Sequence, residues 1–217
     1  MRIRHIVAIV AGPALALGVA VAVPAQAAPA TTWHVGVYNP SGRALSQGAA
    51  AGTADGLASL RFTTTPDTAL LVTRQGSQKG NLLGDITGAT VSATFTITGS
   101  GTVFTYYGER DACGAAASAR LFFQTSTPGN FAETDYWWSN PSSIPLAAGT
   151  FTITATVAGG GWSDYNGHFG TDAYASGFAA AAAHVTAIGL SFGGGCFFEN
   201  GVGAPDASLT LTAFTVT

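Results

Sequence analysis

Two stretches of the chain alternate apolar and polar residues without error. Val91, Ala93, Phe95 and Ile97 are interleaved with Thr90, Ser92, Thr94, Thr96 and Thr98, and Phe151, Ile153, Ala155 and Val157 with Thr150, Thr152, Thr154 and Thr156. A period of two places alternate side chains on opposite faces, so each stretch predicts a half-buried strand with a threonine-lined outer face. Near the C-terminus the apolar phase runs Leu209, Leu211, Ala213 and then slips to Phe214 and Val216, which predicts a bulge in a last strand.

Weaker patterns fill the rest of the chain. TTWHVGVY around Trp33, LASLRFTT around Leu60 and ALLVTRQ around Leu71 are short and bounded by Gly, Pro, Asn or Asp, as strands joined by turns are, with Trp33 and His34 as packing residues. Residues 103–107 are expected to fold back on 90–98 as a hairpin. In RLFFQTS, Leu121 and Phe123 share one face while Arg120, Phe122 and Gln124 share the other, which makes Phe122 the candidate for exposure. Residues 135–139 form a further strand, so Trp137 and Trp138 point to opposite faces, one to the core and one to solvent or a loop. Phe178 and the alanines at 179–183 predict one short helix, which must pack on the sheets because so short a segment is unstable alone. Residues 184–192 return to strand. Many short strands, glycine-rich turns and little helix define an all-β class, an antiparallel β-sandwich that is jelly-roll-like.

Arg2 and Arg4 precede an apolar run over residues 6–23 and the small-residue sequence Pro24-Ala25-Gln26-Ala27, which predicts a signal peptide over residues 1–27 and a single domain over 28–217. A membrane anchor is the rival reading of that run, but Gly12-Pro13 interrupts it. Of the eight Lys and Arg, two lie in the presequence, so six remain against eleven acids, a balance of −5. That surface disfavours nucleic acid and anionic membrane. Charged residues make up only 9% of the chain, so hydroxyls and backbone carry its solubility, as in extracellular β proteins. In an oxidising compartment Cys113 and Cys196 are expected to form one disulfide, whose loop closure stabilises by roughly 4 to 5 kcal/mol in the chain-entropy model.

The segments TDYWWSNP, PLAAGTFTITATV, WSDYNGHFG and GLSFGGGCFFENGVGAPDASLTLTAFTV occur in that order over about the second half of the mature chain. This series resembles a group of secreted or surface-displayed bacterial proteins, often bearing a PEP-CTERM sorting tail. The resemblance implies a sandwich fold and no assigned activity. Its motifs are structural, and because the sequence stops at Thr217 without a sorting tail, free secretion is expected rather than tethering.

Residues 135–170 concentrate three of the four tryptophans. Sugars stack their C–H faces on aromatic rings while carboxylates and amides bond their hydroxyls. Asp135, Tyr136, Trp137, Trp138, Trp162, Asp164, Tyr165, Asn166 and His168 are therefore the candidate ligand-binding set, for a glycan or cell-surface polysaccharide. The competing reading is that these aromatics only fill and cap a sandwich core. An exposed row of aromatic faces beside Asp135, Asp164 or Asn166 favours glycan, whereas burial of all four tryptophans removes that platform and leaves a structural or adhesive extracellular protein. Asp164-Tyr165-Asn166-Gly167, with Asp172, could hold calcium, against an ordinary Asx turn; no other cofactor or metal is implied. A glycosidase would need Glu109 or Asp111 to face Glu199 across a cleft. No G-x-S-x-G, phosphate loop or zinc spacing is present, so the chain is read as non-catalytic.

Overall fold

A computed structural model of the 217-residue chain describes residues 32–38, 44–53, 56–74, 82–99, 101–106, 116–125, 132–194 and 201–217. The expected signal peptide, the expected pairing of Cys113 with Cys196, and Glu109, Asp111 and Glu199 lie outside the described residues. In chain order the strands are β1 (Trp33–Tyr38), β2 (Ala44–Ala49), β3 (Ala58–Arg61), β4 (Thr68–Thr73), β5 (Thr90–Thr98), β6 (Thr105–Tyr106) and β7 (Ser118–Gln124). They continue with β8 (Tyr136–Ser139), β9 (Ile144–Pro145), β10 (Gly149–Thr156), β11 (Trp162–Ser163), β12 (Ala187–Gly193), β13 (Val202–Gly203) and β14 (Ser208–Val216).

These strands pair antiparallel into two sheets. The larger, ten-stranded sheet curls and has the order β11-β8-β7-β12-β4-β1-β2, with β13, β6 and β9 attached beside it; the smaller has the order β10-β5-β14-β3. The alternating stretches become β5 and β10, paired without a break from Gly149 opposite Ile97 to Thr156 opposite Thr90. Their apolar phase faces inward: Val91, Ala93, Phe95, Ile97, Ile153 and Ala155 are buried against Leu71, Leu121, Phe123, Ile188, Leu190 and Phe192 of the larger sheet. Each fully buried Leu, Ile or Phe contributes about 1.5–3 kcal/mol relative to exposure. The slip in β14 is a register shift between Leu211 and Ala213, after which Phe214 returns to the core.

Three expectations are corrected. Of the expected hairpin over residues 103–107, the described residues 103–106 do not pair with β5, because both sides of β5 are taken by the longer strands β10 and β14; the two residues of β6 pair with β13 instead. Phe122 is not exposed. It lies at 1% exposure in a second apolar cluster on the other face of the curled sheet, with Ala69, Leu70, Val72 and Trp138, against which Tyr38, Tyr136 and Tyr165 pack. Trp138 does point away from Trp137, but into this second cluster rather than to solvent. Burial on both faces removes the contrast that alternation would otherwise report.

The predicted helix is α1 (Ala175–Ala182). Phe178, Ala181 and Ala182, spaced to share one helix face, are its buried residues. Phe178 meets Trp137 at 5.0 Å edge to face and Phe123 at 6.0 Å. No helix among the described residues is long and apolar enough to cross a membrane.

Candidate functional site

The stretch rich in chemistry folds as a tight loop at the end of β11. Ser163 bridges Phe169 and the Gly170 N–H donates to the Trp162 carbonyl at 3.1 Å, closing residues 164–168 into a hairpin end. Asp164, fully buried, organises it: Oδ1 accepts the backbone N–H of Asn166 at 3.0 Å and of His168 at 2.9 Å. The Asp164 N–H donates to the His168 carbonyl at 2.9 Å, and the Gly167 N–H to the Asp164 carbonyl at 3.0 Å. Gly167 has φ of 86°, a backbone that glycine adopts without the steric cost of a Cβ. Another glycine brings the chain back: a Cβ on Gly159 would stand 1.7 Å from the Gly170 carbonyl oxygen, so only glycine permits that approach.

The second carboxylate oxygen of Asp164 lies 3.2 Å from His168 Nδ1, which orients the ring as a carboxylate orients an imidazole in many sites. His168 keeps 41% of its side chain exposed. Tyr174 stacks on it at 4.1 Å between centroids and 11° between planes. Its hydroxyl comes within 3.3 Å of Nε2, but nearly parallel rings place it above the imidazole plane, away from the in-plane direction a nitrogen uses for hydrogen bonding. The contact is a stacking one. Asn166 Nδ2 donates to Glu133 Oε2 across the loop. Glu133, Asp164 and His168 thus offer ligand atoms within 4.8 Å of one another. Asp172, exposed and at φ of 51°, is outside this group.

The tryptophans have other duties. Trp33, Trp137 and Trp162 are wholly buried and Trp138 is 5% exposed. Trp137 Nε1 donates to the Thr134 carbonyl at 2.7 Å, Trp138 Nε1 to Ser191 Oγ at 2.9 Å and Trp162 Nε1 to the Thr156 carbonyl at 2.8 Å. An indole whose ring is packed and whose N–H is spent inside the fold has no face left for a sugar. Trp137, Trp138 and Trp162 are therefore corrected from ligand platform to core. Of the other candidates, Tyr136 and Tyr165 are partly buried against the second cluster, Tyr165 lying 6.4 Å from Trp138. Asp135 is partly exposed on a 3-10 turn, Glu133–Asp135, that precedes β8, and Asn166 is exposed. The structure brings Asp164, Asn166 and His168 together as the sequence suggested, and adds Glu133 and Tyr174. Glu133 lies 31 positions before Asp164, with no local motif to mark it; Tyr174, six residues past His168, carried no signal beyond aromaticity.

The opposite side of the sandwich carries a plainer surface. Ser92 and Thr154, Thr94 and Thr152, and Thr96 and Thr150 pair hydroxyl to hydroxyl at 2.9, 2.9 and 2.8 Å across β5 and β10. Thr210 lies beside Thr96 and Thr215 beside Ser92 on β14, extending the same rows. No family model, no curated protein and no solved structure matches the chain.

Proposed function

We propose that the chain is a secreted, non-catalytic structural or adhesive protein with a jelly-roll-like sandwich, which acts through macromolecular contacts rather than by holding a small ligand. The observation that carries this reading is the burial of all four tryptophans, three with their N–H groups bonded inside the fold. The surface left for contact on the smaller sheet is a broad, hydroxyl-covered face. Labelled protein should bind no member of a glycan array. Its retention on bacterial cells should be lost when the cells are treated with protease and kept when they are treated with glycosidases. Saturable binding to a soluble glycan overturns the reading.

A second reading, glycan binding at residues 164–168, is supported by one arrangement: a buried carboxylate fixes the loop rim that carries Tyr165, Asn166 and His168, and Tyr174 stacks on His168. A preorganised rim of that kind lowers the ordering cost of binding. Glycan retention that survives both Tyr165→Ala and His168→Ala rules this reading out.

A further inference from the structure

The smaller sheet has two edges of unlike character. At one, β3 is four residues long and ends in exposed Arg61, a short charged edge of the kind that discourages pairing with another chain. At the other, β10 runs for eight residues, GTFTITAT, without a charge or a proline, and its pairing with β5 contains no bulge.

Hydrogen bonding along β10 shows which groups point outward. Thr90 exchanges both backbone bonds with Thr217, at 2.7 and 3.0 Å, so its polar groups face β14, whereas the Val157 N–H donates to the Ala89 carbonyl at 2.8 Å. Backbone direction alternates along an antiparallel pair. The odd residues of β10 therefore bond to β5, and the N–H and C=O groups of Thr150, Thr152, Thr154 and Thr156 point away from the sheet. The Thr156 carbonyl is already used, accepting from Trp162 Nε1 and from the Ala158 N–H. No described residue bonds the outward backbone groups of Thr150, Thr152 and Thr154, and all three residues are exposed.

We propose that β10 is the seam of a symmetric homodimer, in which two copies pair antiparallel with Thr152 opposite its own counterpart and Thr150 opposite the other copy's Thr154. The proposal rests on the reading of the chain as a contact-forming protein and narrows its partner to a second copy. This register uses the three outward residues that are unengaged and stops short of Thr156. It is isologous, as a two-fold interface requires. The strand is uncharged, so self-pairing sets no like charges against each other. It also repeats across the seam the threonine pairing already present between β10 and β5. Phe151 and Ile153 of each copy, on the inner face, then continue the two cores past the edge.

Sedimentation velocity on the secreted chain over a concentration series should show a monomer–dimer equilibrium. Thr152→Lys places two ammonium groups face to face and should raise the dissociation constant by about tenfold or more. Thr152→Pro removes the outward N–H, together with the exposed hydroxyl that pairs with Thr94, and should act in the same direction while keeping the folded circular dichroism spectrum. Thr152→Cys should cross-link to itself on oxidation, because directly opposed hydrogen-bonded residues stand about 5.5 Å apart, within disulfide reach. Thr154→Cys alone should not, but should cross-link in a mixture with Thr150→Cys. A chain that stays monomeric throughout, or Lys and Pro variants that dimerise like the parent, overturns the proposal. Those results leave the contact-forming reading standing, since that one falls only to soluble-glycan binding.

Discussion

The indole nitrogen of Trp162 donates to the carbonyl oxygen of Thr156 at 2.8 Å, which ties the start of the 164–168 loop to the last residue of the edge strand β10. The same carbonyl accepts the Ala158 N–H at 2.8 Å, and the Trp162 ring packs 4.9 Å from Phe123. The tryptophan therefore holds two elements together mainly by its volume.

Trp162→Ala should destabilise the fold by about 3–5 kcal/mol, the range for emptying a large aromatic site. Trp162→Phe should cost much less, because the Thr156 carbonyl retains its bond from Ala158. Urea denaturation of the two variants measures the difference; equal losses would mean that the hydrogen bond, and not the ring, is the tie.

At Asp164 the hydrogen-bond count governs the outcome. Asp164→Ala leaves the N–H groups of Asn166 and His168 without their acceptor, a cost of about 1–3 kcal/mol for each donor that water cannot reach. Asp164→Asn keeps one acceptor oxygen for both and should lose less. Hydrogen exchange at these two amides should accelerate in the Ala variant and stay slow in the Asn variant.

Trp138 and Ser191 form an isolated buried pair, Nε1 to Oγ at 2.9 Å. Ser191→Ala strands the indole N–H and should cost about 1–3 kcal/mol, whereas adding Trp138→Phe removes the orphaned donor along with ring volume. A double-mutant cycle should return a favourable coupling between the two residues; additive losses would show that the bond contributes nothing net.

Asp85 is a carboxylate whose ionised form the fold favours. The Thr87 backbone N–H, donating to Oδ1 at 3.0 Å, is the chief cause that holds its pKa below the usual aspartate value, with the Thr87 side chain and the charge of His184 adding to it. A carboxylate depressed in the folded state stabilises at pH above its unfolded value, and that contribution is lost as pH falls through the folded value. Asp85→Asn should therefore lower stability at neutral pH, leave strongly acid pH little changed, and so flatten the acid limb of the stability curve. An Asp85 titration midpoint at or above the ordinary range, read by carbon NMR, contradicts the assignment.

The smaller sheet was legible from its sequence because one of its faces meets water: Thr94 and Phe95 announce outside and inside residue by residue. The curled sheet was less so. Phe122 and Trp138 occupy positions that alternation marks as outward, yet both are buried, since this sheet covers both of its faces, and a pattern of two cannot distinguish water from a second apolar cluster. Strand β2, ALSQGA, has neither alternation nor β-branched residues and was not anticipated. In the loop, Asp164, Asn166 and Gly167 were readable as a turn, but the burial of Asp164 and the approach of Glu133 arise from the packing of distant segments.

The order of strands in the smaller sheet also bears on how the molecule is made. β14, the last of the described strands, lies between β5 and β3, two strands that precede it by more than a hundred residues and do not pair with each other. Until residues 208–216 arrive, β5 has only β10 beside it in the smaller sheet and β3 has no strand of that sheet to join. Such dependence on distant partners slows closure. A growing chain therefore keeps this sheet open until residues 208–216 have been made, and β3 and β5 are brought into one sheet only in that step.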